Sequence, residues 1–368
     1  MGNLADHRVS EITPVVLRST MVRNIGRNAL RDTNGSGRDL VVVVVRTDRG
    51  AEGWGHAGAG ALGEVVGAER LGEVIGRSVA ELIDPERGVV HPTARALDIP
   101  LHDLAGRILG VPVYAMLGAR GRREVPCYSG GIYFDDLDPQ GMPEGLAAVR
   151  RNLAMDWELG YRDFKLKVGR GRRWMPPGPG MARDIEVTRL ARESYPESRL
   201  MVDANDGFSL TDVGRYLDAV ADCGLYWLEE PFVESVPDFV RLRRILVDGD
   251  HPTLIADGEM RPDQSLIVEL AGAGLLDIAL MDVFGFGFSR WRWIMPRLRL
   301  AGVLGSPHTW GSPLKMYYAA HLAAGLGNIP TIEGMPGSVE KVDSGGHHFE
   351  NGVLTVSDEP GFGLRISS

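Results

Sequence analysis

Arg199-Leu-Met-Val-Asp203-Ala-Asn205, Leu225-Tyr-Trp-Leu-Glu229-Glu230-Pro231 and Pro252-Thr-Leu-Ile-Ala-Asp257-Gly258-Glu259 repeat one design: an apolar run that ends in carboxylates. The acids at 203, 229 and 259 stand 26 and 30 residues apart, about the length of one strand, one helix and two turns. That spacing predicts a β/α barrel with each acid at the same end of successive strands, the end where function gathers in such barrels. Upstream, Asp163-Phe-Lys165-Leu-Lys167-Val ends a strand in two lysines; downstream, Gly302-Val-Leu-Gly leads into Ser306-Pro-His308. Together the five strings predict one pocket with three carboxylates, two lysines and a histidine, the makings of a metal-assisted acid/base site.

Outward from these strings the strand–loop–helix rhythm continues. It runs from Val125-Pro-Cys-Tyr through helices expected near 143–159, 185–194, 211–223, 238–246, 264–273, 291–301 and 314–326, and gives eight strand candidates. Residues 170–181, rich in Arg, Gly and Pro, read as a long loop on the site face. Before residue 124 the pattern differs. Strands are expected at 12–17 and 40–46, with an Arg/Asn/Gly-rich loop over 18–36 between them. Helical spacing follows over 62–83 and from Ala94 to Ile108. The expected fold class is therefore α/β, a TIM-type (β/α) barrel at 125–340. An α+β capping domain at 1–124 precedes it, and a C-terminal segment at 341–368 returns to that domain.

The 368 residues are 44% apolar, enough for a sizeable core. A net charge of −9 argues against nucleic acid or an anionic membrane as partner, but not against a small anion in a locally basic pocket. Two cysteines, Cys127 and Cys223, make no disulfide framework, and the N-terminus lacks a signal-peptide core. The Val41–Val45 run is too short to span a bilayer. A cytoplasmic protein and a homo-oligomer are expected.

Lys165 and Lys167 share one strand face, and two like charges beside a cation are expected to depress one amine toward use as a base. Asp203, Glu229 and Glu259 offer the hard oxygens that suit Mg²⁺. Asp257 and Glu259 read as sharing a strand face, so either could be the third ligand, with Glu259 preferred. Glu230 is expected to point away from Glu229. Asp282, at the end of the strand before His308, could pair with that imidazole and fix its tautomer. Glu333, on the last strand, would close the ring of charge.

With these motifs in this order, the chain resembles the enolase superfamily, and within it the mandelate racemase subgroup. The segment from Ala96 to Gly118 (Ala-Leu-Asp-Ile-Pro-Leu-His-Asp-Leu-Ala-Gly-Arg) adds to the likeness. The resemblance implies that Asp203, Glu229 and Glu259 bind Mg²⁺, which chelates a substrate carboxylate. It implies Lys167 as base on one face of the α-carbon, Lys165 as electrostatic support, and His308 with Asp282 acting on the other face. Glu333 would hydrogen-bond the enolate, and Asn205 would touch substrate. No lysine stands near Asp282 in sequence to match the base of the muconate lactonizing and dipeptide epimerase subgroup, which disfavours those reactions. The implied activity is that of a lyase, the dehydration of an acid sugar to a 2-keto-3-deoxy acid. A racemase, epimerase or lactone cycloisomerase is the alternative, and a non-catalytic sugar-acid binding protein a remote one. Gly285-Phe-Gly287-Phe, where the family often has Gly-Gly, leaves the substrate's identity open.

Overall fold

The computed structural model describes residues 2–57, 72–137, 144–259 and 263–367. In the N-terminal part, β1 (Val9–Ile25) and β2 (Gly35–Thr47) form a long antiparallel pair, and β3 (Glu52–His56) adds to β2. The valine run in β2 is buried on both faces. Val42 and Val44 pack with Leu17, Trp54 and Ile99, while Val43 and Val45 pack with Leu101 and Leu104. Alternation at period two thus serves two cores. The expected loop at 18–36 shrinks, because both strands extend into it and leave only 26–34 between them. Arg18, Ser19 and Thr20 each find a partner across the ladder, and that pairing outweighs the loop-like composition.

A short helix, α1 (Val79–Leu82), leads into the hairpin β4 (Ile83–Asp84) and β5 (Gly88–Val89). Then come α2 (Asp98–Leu109) and α3 (Val113–Met116). Of the helical spacing expected over 62–83, residues 62–71 lie outside the described residues. At 72–78 the chain is not helical; only the last turn is.

Eight parallel strands follow: β6 (Glu124–Ile132), β7 (Phe164–Lys167), β8 (Leu200–Asp203), β9 (Leu225–Glu229), β10 (Leu254–Asp257), β11 (Ile278–Ala279), β12 (Leu304–Gly305) and β13 (Ile332–Gly334). Each pairs with the next from β6 to β12, and β13 pairs with β6. Between β12 and β13, Gly305 N donates to Asn328 O at 3.0 Å and Ser306 Oγ to Thr331 O at 2.9 Å, so the sheet closes. Helices α4 (Leu146–Glu158), α5 (Pro177–Ser194), α6 (Leu210–Ala219), α7 (Val236–Asp248), α8 (Gln264–Gly272), α9 (Phe288–Leu300) and α10 (Leu314–Leu326) alternate with the strands. Tyr128, Met201, Trp227, Ala256, Ile278 and Leu280 form a buried cluster of their own, while their strand neighbours Phe164, Leu166, Leu200, Val202 and Leu228 join the larger core. The period-two division of a barrel strand, one face to the lumen and one to the helices, accounts for it.

Two boundaries differ from expectation. Helix α5 starts at Pro177 instead of 185, inside the expected loop; proline early in a helix loses no hydrogen bond and is already set at a helical φ. The strand expected over 277–283 is regular only at Ile278–Ala279, with Asp282 and His308 forming an isolated bridge beyond it.

The C-terminal stretch touches both layers. Its first strand, β14 (Gly337–Val339), pairs antiparallel with β1. Residues Val353–Thr355 pair with the start of β6. The Leu364 carbonyl accepts from Trp54 Nε1 at 3.3 Å and from Arg107 Nη2 at 2.7 Å. Among the described residues, no helix is long and apolar enough to cross a membrane.

Candidate active site at the C-terminal end of the barrel

Strand β7 places Lys165 and Lys167 on its lumen face, both buried. Lys165 Nζ lies 2.7 Å from Glu229 Oε1, 3.0 Å from Glu333 Oε1 and 3.7 Å from Asp203 Oδ2. Lys167 Nζ pairs with Asp203 Oδ2. The next two strands end in Asp203 and Glu229, whose second oxygens accept from Asn205 N at 2.9 Å and Trp227 Nε1 at 3.0 Å. Glu259 lies just past β10. Strand geometry stops at Asp257, and Gly258, at φ +117°, swings the chain so that Asp257 and Glu259 do not share a strand face as the sequence suggested. The carboxylate oxygens of Asp203, Glu229 and Glu259 lie within 4.8 Å of one another, a group that does not include Asp257.

On the far side of the ring, His308 Nδ1 is 2.9 Å from Asp282 Oδ2, and Nε2 is 3.2 Å from Glu259 Oε1 and 3.7 Å from Glu333 Oε2. Glu333 Oε2 also accepts from the amides of Thr309 at 2.9 Å and Trp310 at 3.0 Å. Gly130 makes room for that carboxylate, since a Cβ there would sit 2.3 Å from Glu333 Oε1. The nine residues 165, 167, 203, 205, 229, 259, 282, 308 and 333 are therefore brought into one connected cluster, with Asp282 behind His308.

Three oxygen donors on neighbouring strand ends suit a hard divalent cation. The fit is supported by Glu259 Oε2, which is buried without a hydrogen-bond partner among the described residues. A buried, unpaired carboxylate oxygen is costly unless something binds it.

The carboxylates dominate the charge of both lysines. Burial works against a charged lysine, but Glu229 and Glu333 outweigh it and hold Lys165 well above the usual range; Asp203 does the same for Lys167. With carboxylates alone around them, neither amine is depressed. Burial pushes the Glu229 carboxyl up to about 8 against the pull of Lys165. Glu333 is buried too, yet Lys165 and His308 bring it down to about 2. Burial lowers His308, but Glu259, Glu333 and Asp282 raise it further, so the ring favours its charged form.

Other residues join the site unannounced. Glu230, expected to face away, has φ +41° and is buried; its Oε2 accepts from Asn205 Nδ2 at 3.3 Å. The strand ends at Glu229, so alternation no longer applies one residue later. Tyr133 lies under Lys167, with its ring centroid 5.2 Å from Nζ, and packs on Trp310 at 4.8 Å. Lys315 Nζ is 2.7 Å from Asp282 Oδ2. Its signal was in the sequence: it is the one lysine, arginine or acid in α10.

Arg170, read as part of a long loop on the site face, is fully buried. It pairs with Asp136 and Asp184 at 2.7 Å each and donates to the Lys167 carbonyl at 3.2 Å. Asp184 in turn accepts from the amides of Gly169 and Arg170. This network fixes the chain that leaves Lys167. Arg170→Met removes the main counter-charge of two buried carboxylates, leaving Asp136 with Arg183 at 3.1 Å and Asp184 with two backbone amides, and is expected to cost about 3 kcal/mol, read as a lower thermal midpoint and denaturant midpoint. A midpoint equal to wild type would contradict this.

A family profile described as Enolase C-terminal domain-like matches residues 148–368. The chain belongs to this enolase-like family, within the superfamily that includes mandelate racemase. Among solved structures it is similar to a galacturonate dehydratase from a Geobacillus species, in complex with D-galacturonate and 5-keto-4-deoxy-D-galacturonate. That likeness has 31% identity and a TM-score of 0.90 over 98% of this chain and 95% of that one. It is also similar to a mandelate racemase/muconate lactonizing protein from Geobacillus sp. Y412MC10 complexed with magnesium and tartrate, at 30% identity and a TM-score of 0.91 over 100% of this chain and 96% of that one. A curated relative, the D-galactarolactone cycloisomerase of Agrobacterium fabrum, is 28% identical over 358 residues, 90% of this chain and 89% of the relative. These relatives are enzymes acting on small molecules, and this chain is an enzyme of their family.

Proposed function

We propose that this enzyme abstracts the proton α to the carboxylate of a sugar acid and expels the β-hydroxyl as water, giving a 2-keto-3-deoxy acid. One observation carries the reading. The carboxylate triad, on β8, β9 and the end of β10, is flanked along the ring by Lys167 on β7 and by His308 beyond β12. A substrate held at the triad would then meet a base from one side and an acid from the other. The galacturonate dehydratase likeness supports a sugar acid as substrate.

In this mechanism Asp203, Glu229 and Glu259 hold Mg²⁺. When bound there, Mg²⁺ would take up the charge of Asp203 that keeps Lys167 protonated, and would offset the negative charge developing on the substrate carboxylate. Neutral Lys167 takes the α-proton. Lys165, anchored between Glu229 and Glu333, donates to the enolate oxygen. Glu333, to which the resemblance gives a hydrogen bond to the enolate, stands beside Lys165 with its other oxygen fixed by the amides of Thr309 and Trp310. The His308 imidazolium gives its proton to the departing hydroxyl, and the resulting enol tautomerises to the ketone. Asn205, whose Oδ1 is buried without a partner among the described residues, is placed to accept from a substrate hydroxyl. In this reading residues 1–124 form the cap over the barrel; the expected boundary at 340 shifts, because Gly337–Val339 already pairs with β1 of the cap while Val353–Thr355 pairs with β6 of the barrel.

Incubating the protein and Mg²⁺ with a panel of mono- and diacid sugars and their lactones tests the proposal. The expected result is a 2-keto acid from at least one sugar acid, abolished by chelation and restored by Mg²⁺. The cycloisomerase relative favours a second reading. An isomer of unchanged composition formed from a lactone, with no keto acid from any substrate, would establish that reading instead.

A further inference from the structure

The Asp282 carboxylate is saturated with donors. Its Oδ1 accepts from the amides of Phe284 at 2.9 Å and Gly285 at 2.6 Å. Its Oδ2 accepts from His308 Nδ1 at 2.9 Å and from Lys315 Nζ at 2.7 Å. Lys315 Nζ also donates to the Trp310 carbonyl at 3.0 Å. One ammonium thus ties the chain after β11, through Asp282, to the chain after β12, through Trp310.

This placement is not what the local sequence would favour. Lys315 lies in the first turn of α10, where the helix dipole opposes a cation. Its side chain is only 11% exposed, inside a helix with no other lysine, arginine or acid. Among the described residues the surroundings offer it no other counter-charge: Phe284 lies 5.8 Å away, and His56, which packs on Phe284, is kept neutral by burial and by Lys315 itself. A buried ammonium needs a partner, and among the described residues Asp282 is its only anion.

We propose that Lys315 is the positioning residue of the His308–Asp282 pair. By clamping Asp282 Oδ2 to the Trp310 carbonyl, it holds the imidazole in the Nδ1–H tautomer with Nε2 turned into the site. It thereby serves the half of the reaction that His308 performs, an inference that rests on the function proposed above. Lys315 itself touches no reacting atom. With Lys315 gone, Oδ1 stays on the amides of Phe284 and Gly285, but Oδ2 loses its tether to Trp310 and can pivot off Nδ1, which lets the ring adopt the other tautomer.

Two measurements on the Mg²⁺-loaded, full-length protein test this. In the first, solvent-deuterium exchange at the substrate α-carbon, the step given to Lys167, is compared with keto-acid formation. Lys315→Met is expected to keep exchange within about twofold of wild type while product formation falls roughly 10–100-fold, the usual loss for a supporting partner. Lys315→Arg, which keeps a charged donor, is expected to recover most of that loss. In the second, the ring nitrogens of His308, identified by their disappearance in His308→Asn, are followed by NMR at alkaline pH where the ring is neutral. Wild type is expected to show a single Nδ1–H tautomer, and Lys315→Met an averaged pair. Wild-type turnover and ring signals in Lys315→Met would overturn the proposal. So would parallel loss of exchange and product with the ring signals unchanged, which marks a general structural effect. If wild type exchanges no α-proton on any sugar acid, the functional reading fails, while the ring-nitrogen comparison still decides the role of Lys315.

Discussion

Glu259→Gln is expected to lose Mg²⁺ binding and to drop turnover by about 10³-fold or more, whereas Asp257→Asn stays within roughly tenfold of wild type. The two acids are two residues apart, and the sequence leaves both open as the third ligand while preferring Glu259. Their surroundings separate them. Glu259 completes the group in which one oxygen from each of three acids lies within 4.8 Å of the others, and Asp257 does not, although each of the two has one buried oxygen without a partner among the described residues. Asp257 uses Oδ1 to accept from Gly258 N at 2.7 Å, at the turn that aims Glu259. Burial, with Glu234 nearby, pushes its carboxyl well above the usual range, so it resembles the neutral amide that would replace it. Asparagine keeps the accepting oxygen and the turn. Titration calorimetry with Mg²⁺ on the two variants decides the matter. Lost binding in Asp257→Asn with binding retained in Glu259→Gln would move the third ligand to 257.

His308→Asn is expected to reduce keto-acid formation by about 10²–10⁴-fold, the range for removal of a general acid. It should leave α-proton exchange with solvent measurable. The separation follows from the ring order: Lys167 reaches the site from β7 and is paired with Asp203, so nothing in its placement depends on the imidazole. Asparagine cannot supply the proton that the leaving hydroxyl needs. Chelation should then remove the remaining exchange, since both half-reactions use the same triad. Exchange lost together with product would mean that His308, not Lys167, takes the α-proton. Undiminished product would remove His308 from the mechanism.

Much of this was legible because barrel strands repeat. The apolar runs before Lys165, Asp203, Glu229 and Glu259 recur at a spacing that only successive β/α units satisfy, and the strand period puts Lys165 and Lys167 on one face. What escaped lies where periodicity ends. Glu230 and Glu259 each follow the last regular residue of a strand, and a positive φ at Glu230 or Gly258 decides where they point. Arg170 sits in a stretch whose composition reads as a long loop, yet buried Asp136 and Asp184 neutralise it, and partners at residues 136 and 184 cannot be read from a local window. Lys315 needed the third dimension for the same reason: Asp282 is 33 residues away.

The seam that closes the barrel sets an order of events for the growing chain. Ile332 meets Cys127 across β13 and β6, and Thr20 meets Ser338 across β1 and β14, 318 residues apart. Until those last residues leave the ribosome, β6 and β12 are both open edges, and open edges invite pairing with other chains. Closing loops of this length is also entropically slow. Lys165 meanwhile has only part of its counter-charge, because Glu333 arrives with the closing strand. Assembly of the charged pocket and closure of the barrel are thus one late event, and a chain cut short before residue 332 would lack both.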